Sequence, residues 1–129
     1  MSGKGGLRVY EETEAAARLA KELPRWEIVE GHLRRCYRVQ GWKSALLLAG
    51  AIGHLAEQAW HHPELRLSWG RVEVRLRTHE RDGITERDFA LARRIEELVT
   101  RRPGPEEGLE GTPADPRFAY IREDDPPRG

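Results

Sequence analysis

An α+β fold is predicted for this chain of 129 residues: a four-stranded antiparallel sheet with three helices on one face, in the order α-β-β-α-β-β-α. Segments whose apolar residues recur at helical spacing are interleaved with two pairs of strand-like segments. Each strand pair is joined at a glycine, which is typical of an antiparallel hairpin. The length fits one domain with a modest core.

The first helix and hairpin are predicted before residue 40. "EETEAAARLAKEL", residues 11–23, contains good helix formers, with Thr13 as the predicted N-cap and Pro24 as the stop. "RWEIVEGHLRRCYRV" then alternates in the manner of two short strands. We expect the chain to turn at Glu30-Gly31.

The second helix is predicted over residues 43–60 and is apolar almost all round. A helix with so little polar surface should be covered on two sides. The sheet supplies one cover, and the same helix of a second subunit would supply the other, which predicts a homo-oligomer. The alternative is a helix buried on both sides within the monomer. Pro63 is predicted to end the helix, because the residue before proline disfavours helical geometry.

The second hairpin and the last helix follow. "LRLSW" and "RVEVRLRTH" read as strands joined by a turn at Gly70. Alternation in the second of these strands predicts that one face is buried, comprising Val72, Val74, Leu76 and Thr78. Thr85 is the predicted N-cap of a helix that begins "ERDFALARRIEELV".

Composition narrows the class of protein. Lys plus Arg and Asp plus Glu both number 22, so the balance gives no support to nucleic-acid binding. The single cysteine excludes an intramolecular disulfide and a cysteine-based zinc cage. With neither a signal peptide nor a membrane span visible in the sequence, a cytoplasmic location is expected. Residues 1–8 are predicted to be flexible, 9–100 to form the domain, and 101–129 to form a Pro/Gly-rich tail.

Three of the five histidines surround the second hairpin, at His61, His62 and His79. The structural interpretation is an ordinary pair between Glu57 and His61, four residues apart on a helix. If the helix end and the strand end are neighbours, the imidazoles converge. Such a cluster suits a catalytic zinc with an open position, or acid–base chemistry near neutral pH.

A longer pattern contains these histidines, and it resembles that of the pterin-4a-carbinolamine dehydratases. It is an acidic residue, a His-His-Pro, an aromatic residue, a histidine and an aspartate: Glu57, His61, His62, Pro63, Trp69, His79 and Asp88. The resemblance extends over roughly residues 9–100. Trp60 departs from it, standing where a smaller or polar residue is expected.

The resemblance implies removal of water from 4a-hydroxytetrahydropterin to give quinonoid dihydropterin, without a metal or other cofactor. It also implies a homodimer or homotetramer, formed through the helix of residues 43–60, and a functional link to an aromatic amino acid hydroxylase. The implied acid and base are His61 and His79, in an order that the sequence leaves open, and His62 would bind and orient the pterin.

The supporting residues are assigned separately. Glu57 is expected to fix the tautomer or raise the pKa of His61. Asp88 is expected to close a capping box with Thr85, a role favoured over direct chemistry. Trp69 is expected either to line the pterin pocket or to pack on the sheet. Arg87 is expected to be a solvated charge, with contact to the pterin carbonyl as the alternative.

Three other functions stay open at this point. The first is a dehydratase-like protein acting on another pterin, such as one related to molybdopterin. The second is a non-enzymatic dimerisation partner, and the third is a zinc enzyme.

Overall fold

The computed structural model describes residues 7–122 and confirms the predicted α+β order. The elements are α1 (Glu12–Glu22), β1 (Glu27–Val29), β2 (His32–Arg38), α2 (Trp42–Ala59), β3 (Glu64–Ser68), β4 (Arg71–Leu76) and α3 (Glu86–Thr100). Two short 3-10 turns, Pro105–Glu107 and Pro116–Phe118, follow α3, and a third, His79–Arg81, lies between β4 and α3.

The four strands form one antiparallel sheet in the order β1-β2-β4-β3. Each hairpin therefore places its second strand at the centre, where β2 and β4 pair over six residues from Leu33 opposite Leu76 to Arg38 opposite Arg71. The first hairpin turns at Glu30 and Gly31, whose φ angles of 51° and 73° are both positive. Two such residues give a hairpin turn whose twist matches that of the strands.

The core lies between the sheet and the three helices. Alternate residues of the two central strands are buried on this side, in agreement with the predicted alternation: Leu33, Tyr37, Val72, Val74 and Leu76. The helices contribute Ala15 and Leu19 from α1, Ala45, Leu48 and Ile52 from α2, and Phe89, Ala92, Ile95 and Val99 from α3. Burial of these side chains is the main force that holds the helices on one face of the sheet.

The predicted N-cap of α1 is wrong. The cap is Glu11, with extended angles of −69° and 151°, and Thr13 lies within the first turn. No side chain caps this end. Two carboxylates in the first turn, Glu12 and Glu14, favour the helix start through the positive end of its dipole.

One carboxylate is embedded where α3 crosses the sheet. Glu96 accepts hydrogen bonds from Trp26 Nε1 at 2.9 Å, from Tyr37 Oη at 2.7 Å and from Arg35 Nε at 3.1 Å. Arg35 itself is buried and lies over the Tyr37 ring. The carboxylate of Glu96 in α3 thus binds the residue before β1 and two residues of β2.

The segment after α3 returns to the sheet. Ile121 forms an antiparallel bridge with Val39, and Tyr120 and Arg122 exchange backbone hydrogen bonds with Gln40 and Arg38. The sequence "RFAYIR" thus docks at the end of β2 in its own chain. Residues 1–6 of the predicted flexible start and 123–129 of the predicted tail lie outside the described residues, and the division at residue 100 stays a prediction. Across residues 7–122, no helix combines the length and apolarity that crossing a bilayer requires.

Candidate active site

The site begins where α2 ends, and the ending differs from the prediction. The helix stops at Ala59, before Pro63 can act, because Trp60 adopts the left-handed conformation with φ 52° and ψ 47°. The backbone N–H groups of Trp60 and His61 both donate to Ala56 O, which satisfies a terminal carbonyl of the helix. The left-handed turn takes His61 off the helix axis.

His61 points at the start of α3. Its Nε2 lies 2.6 Å from Asp88 Oδ1, and its side chain is 12% exposed whereas that of Asp88 is fully buried. Asp88 Oδ2 accepts from Thr78 Oγ1 at 2.8 Å and from the Thr85 backbone N–H at 2.9 Å. Asp88 therefore joins α2, the end of β4 and the cap of α3, and it holds His61.

The predicted capping box is present and serves the site as well as the helix. The Thr85 side chain accepts a hydrogen bond from the backbone N–H of Asp88, and the Asp88 side chain accepts one from the backbone N–H of Thr85. Thr78, predicted to lie on the buried face of its strand, bonds to both of these side chains and is buried. A network of this kind fixes the position of a carboxylate and of whatever it binds.

The predicted pairing of Glu57 with His61 is wrong. Glu57 Oε2 instead lies 2.6 Å from His62 Nε2. The prediction assumed that the helix continues to His61; since it ends at Ala59, the residue that comes back over Glu57 is His62. Both members of this pair are exposed, and the His62 ring packs edge-on against Trp60 at 5.0 Å.

The three histidines border two adjacent recesses. His62 and His79 line a polar cavity of about 100 Å³ at the end of the sheet, together with His32, Pro63, Arg75 and Arg77. His61 lines a groove of about 650 Å³ between the end of α2 and the first half of α3. Glu80, the residue after His79, also lines that groove. The two recesses are therefore bordered by residues that are adjacent in sequence.

Trp69 lies away from both recesses. It lies at the β3–β4 turn, whereas His62 and His79 flank the opposite end of that hairpin. Five residues of strand make this separation roughly 17 Å. The Trp69 ring, 76% exposed, packs over Gly41 at the start of α2.

Arg87 is half exposed and is paired with a carboxylate rather than isolated in solvent. It donates to Glu80 Oε2 at 3.0 Å on the rim of the groove. The pKa of Glu80 lies below its ordinary value because its own backbone N–H and then the charge of Arg87 stabilise the carboxylate. The rim of the groove therefore carries fixed charges of both signs.

Other residues around the recesses were missed from the sequence. Arg94 lines the groove two helical turns after Arg87, and His32, Arg75 and Arg77 line the cavity. The spacing of Arg87 and Arg94 places both on one face of α3 and was a usable signal. No signal in the sequence indicated His32, because it reaches the cavity only through the order of the strands. Within residues 7–122, no group of three or more His, Cys, Asp or Glu side chains is arranged to hold a metal ion.

The chain is similar to known proteins over this region. The sequence model of the family described as pterin 4 alpha carbinolamine dehydratase matches residues 8–98. A relative from Rubrobacter xylanophilus is 43% identical over 96 residues, covering 74% of this chain and 89% of that protein. A relative from Aquifex aeolicus is 42% identical, covering 67% and 87%. The names of both assign them to the pterin-4-alpha-carbinolamine dehydratases.

A solved structure agrees with these relatives. The crystal structure of a transcriptional coactivator/pterin dehydratase from Brucella melitensis superposes with a TM-score of 0.64 at 27% identity, covering 70% of this chain and 98% of that one. The family match spans α1 to α3 and so includes every element of the site. This chain belongs to the pterin-4-alpha-carbinolamine dehydratase family.

Proposed function

We propose that this protein removes water from 4a-hydroxytetrahydropterin and releases quinonoid dihydropterin. The observation that carries the proposal is the buried contact between His61 and Asp88 at the edge of a groove of about 650 Å³. That volume is in the range of small-molecule sites. Family membership indicates the substrate class. The geometry contributes an imidazole that is fixed by Asp88 and borders a groove of suitable size for the substrate.

The tautomer of His61 follows from its partner. An ionised carboxylate only accepts hydrogen bonds, so His61 Nε2 carries the proton that Asp88 Oδ1 receives. In the neutral ring, Nδ1 is then the free acceptor. We therefore assign to His61 the role of general base toward the N5 proton of the pterin.

His79 is assigned the complementary role of general acid. It is exposed and lies next to Glu80, which shares the groove with His61. As the N5–H bond breaks, its electron pair forms the N5–C4a double bond and the C4a–O bond breaks. The departing hydroxyl takes a proton from His79 and leaves as water. His62, held by Glu57 and bordering the cavity with His79, would bind and orient the pterin.

The first prediction concerns these histidines. In an absorbance assay of enzymatically generated 4a-hydroxytetrahydropterin, wild type should exceed the spontaneous rate. His61→Ala and His79→Ala should each lower kcat by about 10²-fold or more, because each removes one proton transfer. His54→Ala, an exposed histidine on α2 that borders neither recess, is the matched control and should behave as wild type. A wild-type rate equal to the spontaneous rate would overturn the proposed function.

The proposed reaction needs a supplier of its substrate. A 4a-hydroxytetrahydropterin arises when a monooxygenase uses a tetrahydropterin to activate oxygen, so we infer a functional link to an aromatic amino acid hydroxylase.

We also propose that the protein forms a homodimer or homotetramer through α2. Ala45, Leu48, Ile52 and Ala56 bury one face of this helix on the sheet. The opposite face exposes Trp42, Leu46 and Leu47 (60% exposed for Leu47), and no atom lies within 4 Å of a side chain built at Gly50 or Gly53. An apolar helix face with room for close approach is a surface that a second copy can cover.

The second prediction tests this surface. Wild type should have a solution mass that is a multiple of the 14.8 kDa chain, and Leu47→Glu should shift it toward the monomer. A buried, unpaired carboxylate at the contact makes association unfavourable. Leu109→Glu, at a comparably exposed leucine outside α2, is the control for light scattering. A monomeric wild type, or an assembly unchanged by Leu47→Glu, would refute the proposed interface.

A further inference from the structure

The groove that starts at His61 continues well beyond it. One wall is the last turn of α2, with Leu55 and Ala59, and the other is α3, with Leu91 and Arg94. Trp60 stands at the end nearest His61 and is 76% exposed. The groove is thus apolar along its walls and charged at the α3 side.

Two arginines of α3 lie along this groove. Arg87 and Arg94 are seven residues apart, which is roughly 10.5 Å along the helix. Arg87 is paired with Glu80 at 3.0 Å. Arg94 is exposed and has no hydrogen bond or ion pair to any residue between 7 and 122. A guanidinium without a carboxylate partner is available to an anionic ligand.

Arg94 lies within reach of a substituent on C6 of the substrate. In the proposed reaction, His61 takes the proton from N5, and C6 of the pterin is bonded to N5. A substituent on C6 therefore leaves the ring beside His61. Arg94 follows Asp88, the partner of His61, by six residues, or roughly 9 Å along α3. A substituent of several atoms covers that distance.

We infer that the substrate is a tetrahydropterin whose C6 substituent carries an anionic group, a phosphate or a carboxylate, and that Arg94 binds this group. The inference rests on the proposed function and adds the chemical class of the side chain. Arg94 is then a residue that determines specificity, outside the proton transfers assigned to His61 and His79.

The test is a binding measurement with three stable pterins that share the reduced ring. They are 6-hydroxymethyl-7,8-dihydropterin, which is neutral, its phosphate monoester, and 7,8-dihydrofolate, which carries two carboxylates. Wild type should bind one or both anionic compounds about tenfold more tightly than the neutral one, as one charge-assisted hydrogen bond allows. Arg94→Gln should lose this preference and keep its affinity for the neutral compound. The preference should also weaken as ionic strength rises.

A matched variant isolates position 94 from the net charge. Arg93→Gln removes the same charge from the adjacent position of α3, where the side chain instead faces Glu22 and Glu86 at 3.4 Å, and it should retain the preference. Tighter binding of the phosphate ester alone identifies phosphate as the anion, and tighter binding of dihydrofolate alone identifies carboxylate. Equal affinity of wild type for all three, or a preference that survives Arg94→Gln, overturns the inference and leaves the proposed function standing. Binding of none of them also overturns the inference, and the dehydration rate then decides the proposed function separately.

Discussion

Asp88→Asn is expected to lower kcat for dehydration by about 10²-fold or more without unfolding the protein. The asparagine is nearly isosteric, and its carbonyl oxygen can still accept from the Thr85 N–H and the Thr78 hydroxyl. Its NH₂ group then faces His61 and donates to Nε2. His61 must place its own proton on Nδ1, and the acceptor needed for N5 is lost. Steady-state kinetics with a thermal melt of the same sample measures both parts of the prediction.

The control for this variant is another aspartate at a helix start. Asp115 accepts from the Arg117 backbone N–H at 3.0 Å and caps the last 3-10 turn, outside the site. Asp115→Asn should leave kcat unchanged. If Asp88→Asn retained wild-type kcat, the role assigned to the His61 tautomer would be excluded.

Glu96→Ala is expected to reduce the free energy of unfolding by about 3 kcal/mol. The glutamate accepts from three side chains at once, one of them the buried guanidinium of Arg35. Its removal leaves the buried charge of Arg35 without this carboxylate, and it leaves Trp26 and Tyr37 without this acceptor. Each loss costs free energy. Urea unfolding followed by fluorescence gives the difference.

The neighbouring residue and the pH dependence make this prediction specific. Glu97→Ala, at an exposed position of the same helix, should change stability little.

Burial pushes the pKa of Glu96 upward, but the hydrogen bonds from Arg35 and Tyr37 outweigh it and hold the pKa below its ordinary value. Such a carboxylate contributes fully above its unfolded-state pKa of about 4.3. The contribution is lost as pH falls through the lower folded-state pKa, so the difference between wild type and Glu96→Ala should shrink in acid. Equal stability at pH 7 would contradict the assignment.

The fold was predictable because local signals and burial agree along most of the chain. The alternation of Val72, Val74 and Leu76 is the pattern of a strand buried on one face, and all three lie in the core. Thr85 with Asp88 is a capping box in the sequence and in the structure. In these segments the residue pattern and the tertiary contacts require the same conformation, so the sequence alone was sufficient.

The site was predictable only in part, since its geometry depends on how α2 ends. A tryptophan with φ 52° is an uncommon conformer that no propensity favours. That single residue exchanges the partners of His61 and His62. It also explains why the contact between His61 and Asp88, 27 positions apart, could not be inferred from helical spacing.

Trp69 shows a different limit. The turn predicted at Gly70 already placed Trp69 at the end of the hairpin away from His62 and His79, and the register of β3 on β4 confirms that turn. Only the family pattern favoured a place for this residue in the pocket. Arg94 was missed because it lies after Asp88, the last residue of the family pattern. It becomes relevant only because α3 lies beside the end of α2.

One experiment shows whether His61, held by Asp88, acts on a 4a-hydroxytetrahydropterin. It compares the initial dehydration rate of that compound in four proteins: wild type, His61→Ala, Asp88→Asn and the double variant. Wild type should exceed the spontaneous rate, both single variants should lose most of that excess, and the double variant should be no slower than the slower single one. This non-additivity is expected because Asp88 acts through His61. Effects that multiply in the double variant would exclude action of Asp88 through His61, and a wild-type rate equal to the spontaneous one would exclude the dehydratase activity.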